Sequence, residues 1–173
     1  LEGWTHAPQW DAIASGGGVA DTGLLAPSPV DYSGITSEEV DATSADGTQV
    51  PLSIVRREDL VSDRGYPTLL DGYGAYGIVN GPSFSPTRLA WLERGGIFAE
   101  CHVRGGGELG ADWHFAAHIA TKQRTIDDFI GCAHYLIDHG YTTRAKLAGM
   151  GTSAGGVTIG NAIVQQPALF AAA

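Results

Sequence analysis

Lys146-Leu-Ala-Gly-Met-Gly-Thr-Ser-Ala-Gly-Gly-Val157 is the stretch whose reading decides the fold. Lys146 to Met150 reads as a short strand, and Val157 to Gln166, ahead of Pro167, as a helix. Between them Gly151-Thr152-Ser153-Ala154-Gly155 fits G-x-S-x-G, a strand that reverses into a helix within a few residues. Such a bend holds the serine in a strained conformation with its Oγ projecting from the turn. Larger neighbours would collide there, so glycine two before and two after is a steric demand. The helix N-terminus then points free N–H groups and the positive end of its dipole at the site. The N–H of Ala154 is placed to donate to a developing oxyanion. A structural turn is the competing reading, and the flanking strand and helix favour a nucleophile.

Working outward, strands alternate with helices from Tyr66 onward. Thr68-Leu69-Leu70 is a short apolar strand that runs into the Gly-rich segment Gly72 to Gly77. Ser85-Pro86 has the form of a helix start, with Gly95 as its stop. Ile97 to Val103 reads as a strand, closed by Arg104-Gly105-Gly106-Gly107. Thr125 to His139 places Ile126, Phe129, Ile130, Ala133, Leu136 and Ile137 on one helical face. This order predicts an α/β fold with a parallel sheet. Upstream, Glu39–Ser44 and Gln49–Val55 flank Asp46-Gly47, a hairpin signal. Residues 1 to about 38 read as short strands and loops, too sparse to form a domain alone. The sheet is expected to stop midway, leaving an edge prone to association.

Composition narrows the function classes. Ten Lys and Arg against 19 Asp and Glu give a net charge of −9, which argues against nucleic-acid binding. Glycine is about twice its usual share at 25 of 173 residues, without a triplet period, so turns and close backbone approaches must use it. Residues 147–173 carry no formal charge, but five glycines, Pro167 and several amides make a membrane span a poor reading. No signal peptide is read at the N-terminus, and a start on Leu1 points to an excerpt. Cys101 and Cys132 are expected to be two buried free thiols, and no metal-ligand spacing is present. Two dinucleotide-like patterns compete, Gly149–Ala154 and Gly105–Gly110. The first has no acidic residue about 20 positions on; the second has Asp127 and Asp128 only inside an amphipathic helix.

Several blocks, in order, resemble the prolyl oligopeptidase family of serine peptidases, including its oligopeptidase B-like members. They are Gly3-Trp4-Thr5, Pro27-Ser-Pro-Val-Asp-Tyr-Ser33, Ser44-Ala-Asp-Gly-Thr-Gln-Val-Pro-Leu52 and Tyr66-Pro-Thr-Leu-Leu-Asp-Gly-Tyr-Gly-Ala-Tyr76. Pro82-Ser-Phe-Ser-Pro-Thr-Arg-Leu-Ala-Trp-Leu92, Arg104-Gly-Gly-Gly-Glu-Leu-Gly-Ala-Asp-Trp-His114 and Gly151-Thr-Ser-Ala-Gly-Gly156 complete the set. The resemblance implies a partial α/β-hydrolase catalytic domain over residues 37–173, preceded by the last strands of a β-propeller and a linker over 1–36. It implies Ser153 as nucleophile, and Tyr73 as an oxyanion-hole hydroxyl acting with the Ala154 N–H. Tyr76 is implied as an aromatic wall for the residue before the cut bond. Short peptides are the implied substrates, with no cofactor, no metal, no nucleic acid and no membrane. Prolyl-specific members carry Asn after the serine; Ala154 stands here, as in the oligopeptidase B-like members, and puts proline preference in question.

α/β-Hydrolases place their triad partners after the serine, acid then histidine. None of the 20 residues after Ser153 is Asp, Glu or His. The expectation is a chain that lacks both, is inactive alone, and partners the remainder of its own polypeptide. His114 is read as structural, and His134 and His139 as solvated. An esterase or acylaminoacyl peptidase on the same fold, or a non-catalytic interaction module, are the alternatives. The expected compartment is the cytoplasm, with the periplasm as the alternative.

Overall fold

The computed structural model describes residues 1–61 and 63–173. A small hairpin, β1 (Asp11–Ile13) with β2 (Val19–Asp21), stands apart from the main sheet. The main sheet is formed by β3 (Ile35–Thr43), β4 (Gln49–Arg57), β5 (Thr68–Asp71), β6 (Ile97–Cys101) and β7 (Leu147–Met150). Their spatial order is β3-β4-β6-β5-β7. β5 runs parallel to both β6 and β7, whereas β4 is antiparallel to β6 and to β3. The sheet is therefore mixed. The expected parallel arrangement holds for β6, β5 and β7, and the hairpin turned at Asp46-Gly47 adds two antiparallel strands beyond β6. That hairpin extends four residues earlier and two later than its alternation suggested.

Period-two alternation sends side chains to two cores. Leu70, Ile97, Ala99 and Ile54 face a large core under α3 (Gln123–Asp138) and α4 (Gly155–Gln165). Leu69, Phe98 and Val55 face the opposite side, against α1 (Pro86–Leu92), Trp4 and Tyr32. Trp4 and Tyr32 thus tie the N-terminal segment to the sheet. α1 begins as its sequence dictates: the Ser85 hydroxyl accepts from the Arg88 N–H and Pro86 takes the first helical position. A further helix, α2 (Ala111–Ala116), and a 3-10 turn at Ile119–Thr121 follow the Arg104–Gly107 loop. Neither was expected. At the far edge Ala171 N–H donates to Leu147 and Gly149 N–H to Ala172, so residues 171–172 begin to line β7 in parallel. No helix among the described residues is long and apolar enough to cross a membrane.

The cysteines correct an expectation. Cys101 and Cys132 are not free thiols but a disulfide, with Cα atoms 6.2 Å apart. The last residue of β6 lies directly under the buried face of α3, a juxtaposition that two positions 31 residues apart in sequence do not reveal. Closing a loop of this size restricts the unfolded chain by roughly 3–4 kcal/mol. Reduction is therefore expected to lower the guanidinium midpoint by a corresponding amount. An identical midpoint with and without dithiothreitol would show that the bridge does not form.

Candidate active site

β5 and β7 are neighbours, with Asp71 opposite Met150 at their carboxyl ends. Two residues beyond Asp71 comes Tyr73, and three beyond Met150 comes Ser153. Ligands of open α/β sheets bind outside these strand ends. The backbone reverses at Ser153, which has φ 55° and an exposed side chain. Only Tyr76 and Ile119 share positive φ with it among the described non-glycine residues. Such a conformation costs on the order of 1–3 kcal/mol and persists where its surroundings enforce it.

The surroundings are glycine contacts. A Cβ at Gly151 would run into the Gly155 carbonyl. One at Gly155 would sit 2.8 Å from the Gly72 oxygen and 3.6 Å from the Tyr73 Cα. The glycine two after the serine is thus what lets the Tyr73 loop close onto the turn. The N–H groups of Gly155, Gly156 and Val157 donate to Thr152, Ser153 and Ala154, so they are committed to the first turn of α4. Among the described residues no partner takes the Ala154 N–H, and no side chain caps the helix. A free donor therefore stands beside an exposed hydroxyl. The Ser153 Oγ itself makes no hydrogen bond with any described residue, so no histidine is in place to take its proton.

Tyr73 is half-buried, and its carbonyl accepts from the Thr158 hydroxyl of α4 at 3.0 Å. The structure thus brings Ser153, Ala154 and Tyr73 into one neighbourhood. Tyr76 lies apart: it is 78% exposed and lines a cavity of about 440 Å³ with Gly105, His114, His118, Ile119 and Lys122, which excludes the serine. His114, read as structural, holds the Arg104–Gly107 loop through its Nδ1–H, which donates to the Gly105 carbonyl at 2.7 Å. His139 is exposed and stacks on Tyr135, while His134 is half-buried on α3. His102 is buried, its Nε2 2.7 Å from the Ser53 Oγ, on the antiparallel side of β6.

The glycines of the dinucleotide-like patterns are used for packing. Cβ atoms at Gly105 and Gly107 would strike the carbonyls of Gly74 and Gly77, and one at Gly149 would strike Ile159. A larger cavity, about 580 Å³, opens on the α1 side between Trp4, Asp71, Asn80, Arg88, Trp91 and Glu100. Burial, with the charge of Asp71 adding to it, pushes the Glu100 carboxyl up to about 8. Asn80 donates to that carboxyl at 3.1 Å, and the Arg88 guanidinium lies 4.2 Å from the Phe98 ring centre. Sequence reasoning missed this acidic cavity, since Asp71 and Glu100 become neighbours only through strand register.

Comparison with known proteins agrees with this geometry. Residues 82–173 match the family profile described as "Prolyl oligopeptidase family". The prolyl endopeptidase of Elizabethkingia miricola is 41% identical over 133 residues, 77% of this chain and 19% of that protein. Protease 2 of Moraxella lacunata is 40% identical over 130 residues, 75% of this chain and 19% of that protein. Oligopeptidase B from Trypanosoma brucei, solved with covalently bound antipain, superposes with a TM-score of 0.91 at 35% identity, over 99% of this chain and 24% of that one. Prolyl oligopeptidase B from Galerina marginata, solved with a 35mer hydrolysis and macrocyclization substrate, superposes with a TM-score of 0.91 at 31% identity, over 98% and 25%. The chain spans about a fifth of the length of the curated relatives it matches. With the sheet, the elbow and the matching blocks in agreement, the chain belongs to the prolyl oligopeptidase family.

Proposed function

We propose that this chain is the nucleophile-bearing part of a serine peptidase that cuts short peptides through an acyl-enzyme on Ser153. In this reading the Ser153 oxygen attacks the peptide carbonyl carbon while its proton passes to a histidine in the remainder of the polypeptide. The Ala154 N–H and the Tyr73 hydroxyl donate to the oxyanion, since a phenol is a donor that stays neutral at pH 7. Collapse breaks the C–N bond, the histidine returns the proton to the leaving amine, and water then releases the acyl group. Tyr76 is assigned to the wall beside the residue before the cut bond. Residues 1–36 are assigned to the end of a propeller and its linker, in keeping with the separate β1–β2 hairpin.

The observation that carries the reading is the exposed Ser153 at φ 55°, next to the uncommitted Ala154 N–H. The small relative share covered by this chain supports placing the acid and the histidine elsewhere in a longer polypeptide. Ala154 offers only its backbone donor, which favours a preference other than proline. The Cys101–Cys132 bridge favours an oxidising compartment, such as the periplasm, over the cytoplasm.

A fluorophosphonate probe tests the reading. Without a base the hydroxyl is a weak nucleophile at neutral pH. Stoichiometric labelling at Ser153 is expected in the complete polypeptide, and little or none in the 173-residue chain. Labelling of the complete polypeptide at another serine would overturn the assignment. Robust labelling of the 173-residue chain would overturn its dependence on the rest.

A further inference from the structure

The loop that carries Tyr73 is held by two donors from different helical segments. Thr158, fully buried on α4, donates from Oγ1 to the Tyr73 carbonyl at 3.0 Å. Lys122, at the junction of the 3-10 turn and α3, donates from Nζ to the next carbonyl, that of Gly74. Two consecutive peptide oxygens are therefore fixed from outside the loop. Between them, Gly74 adopts φ 71°, and a Cβ there would collide with the Thr125 and Val103 methyl groups. No other residue type fits that bend.

Lys122 is unusual in how it uses its charge. Its ammonium is partly buried, and burial lowers its pKa. It has no carboxylate partner among the described residues, and the Gly74 carbonyl is its one hydrogen-bond acceptor there. A surface lysine ordinarily points its head to water. Here the head is spent on one backbone oxygen, one residue after Tyr73. Thr158 stands one turn after Gly155 on the helix whose N-terminus carries the serine bend, so this contact ties the tyrosine loop rigidly to the nucleophile. Oxyanion donors stabilise only when their positions are set before charge develops, and an error of about 1 Å can cost about 100-fold in rate.

We infer that Thr158 and Lys122 are positioning residues: by holding the Tyr73 and Gly74 carbonyls they aim the Tyr73 hydroxyl at the oxygen that becomes negative when Ser153 reacts. This rests on the reading of Ser153 and Tyr73 given above. Thr158 is fully buried and Lys122 spends its ammonium on the Gly74 carbonyl, so each acts through the Tyr73 loop.

The test is a mutant cycle in the complete polypeptide. Rates are measured with p-nitrophenyl acetate and with a fluorophosphonate probe, alongside thermal midpoints. Thr158→Val and Lys122→Met are each expected to lower kcat by roughly 10-fold with KM within about twofold, as for an oxyanion donor that is misplaced rather than removed. Thr158→Ser keeps the donor and is expected to restore the rate. In a Tyr73→Phe background, adding Thr158→Val or Lys122→Met is expected to cost less than about twofold, because the group they aim is gone. Equal losses with and without the tyrosine hydroxyl, tracking the thermal midpoint, would reduce both residues to scaffold and overturn the inference. Should Thr158→Val fail to fold, Lys122→Met and Thr158→Ser still decide it. Ser153→Ala separates the two levels: persistent labelling in that variant sinks the underlying reading. Abolished labelling there, with wild-type rates in Lys122→Met and Thr158→Val, sinks the positioning inference alone.

Discussion

Ser153→Ala in the complete polypeptide is expected to lower kcat by about 10⁴–10⁶-fold, with no loss of stability. Under the proposed mechanism the rate loss follows from removing the atom that forms the acyl bond. What remains is the oxyanion donors acting on an attacking water, so Tyr73→Phe, worth about 10²–10³-fold alone, is expected to add much less once the serine is gone. The stability expectation has a separate basis. The Ser153 side chain is exposed and makes no hydrogen bond among the described residues, so alanine forfeits no contact. Alanine also keeps a Cβ at φ 55° and keeps the strain. Ser153→Gly relieves that strain, and is expected to raise the thermal midpoint slightly while abolishing turnover. Activity within 10-fold of wild type in Ser153→Ala would exclude this hydroxyl as the nucleophile.

Where the sequence was legible, a single residue type had only one comfortable place. Ser85-Pro86 fixed the start of α1, and Asp46-Gly47 fixed the β3–β4 turn, with Gly47 at φ 85°. The apolar face of α3 was readable because it runs for four turns: of the six residues the 3.6 period selects, Ile126, Phe129, Ala133 and Leu136 are buried and Ile130 and Ile137 half-buried, while the buried Asp128 and Cys132 lie outside that selection. α2 was not readable: six residues with one buried side chain, Trp113, give no period to detect. α4 begins at Gly155, two residues before the Val157 start read from sequence, with Gly155 packed against Gly72. The elbow was local and visible. What holds the Tyr73 loop was not, for Thr158 and Lys122 reach Tyr73 and Gly74 across 85 and 48 residues of sequence. The disulfide and the Asp71–Glu100 pair stayed hidden for the same reason.

Arg104→Met is expected to cost about 3–5 kcal/mol, a large share of any single domain's stability. Arg104 is 4% exposed, and its guanidinium joins three parts of the chain. Toward α3, Nε donates to the Asp128 Oδ2 at 2.9 Å and Nη2 to its Oδ1 at 2.7 Å, while the Arg104 backbone N–H also reaches Oδ2. Toward the β3–β4 turn, Nη1 donates to the Asp46 Oδ2 at 2.6 Å and Nη2 to the Ser44 hydroxyl at 3.2 Å. Burial opposes the charge, but the hydrogen bonds it donates to Asp128 and Asp46 hold the guanidinium above its ordinary value. Methionine would fill much of the space and leave Asp128, fully buried, with a charge and only backbone to satisfy it. Arg104→Lys is expected to recover little, because an ammonium cannot fork to two carboxylates at once. Asp46→Asn touches the exposed end and is expected to cost much less. Its pH signature has a definite sign. The Arg104 hydrogen bond holds the Asp46 carboxyl well below its ordinary 3.8, so its contribution is present above that pH and is lost as pH falls through the lower folded value. Guanidinium midpoints for wild type, Arg104→Met and Asp46→Asn at neutral and acid pH measure both effects. A deficit under about 1 kcal/mol for Arg104→Met would mean that Asp128 finds another partner, and that the Arg104–Gly107 loop is held by its glycine contacts alone.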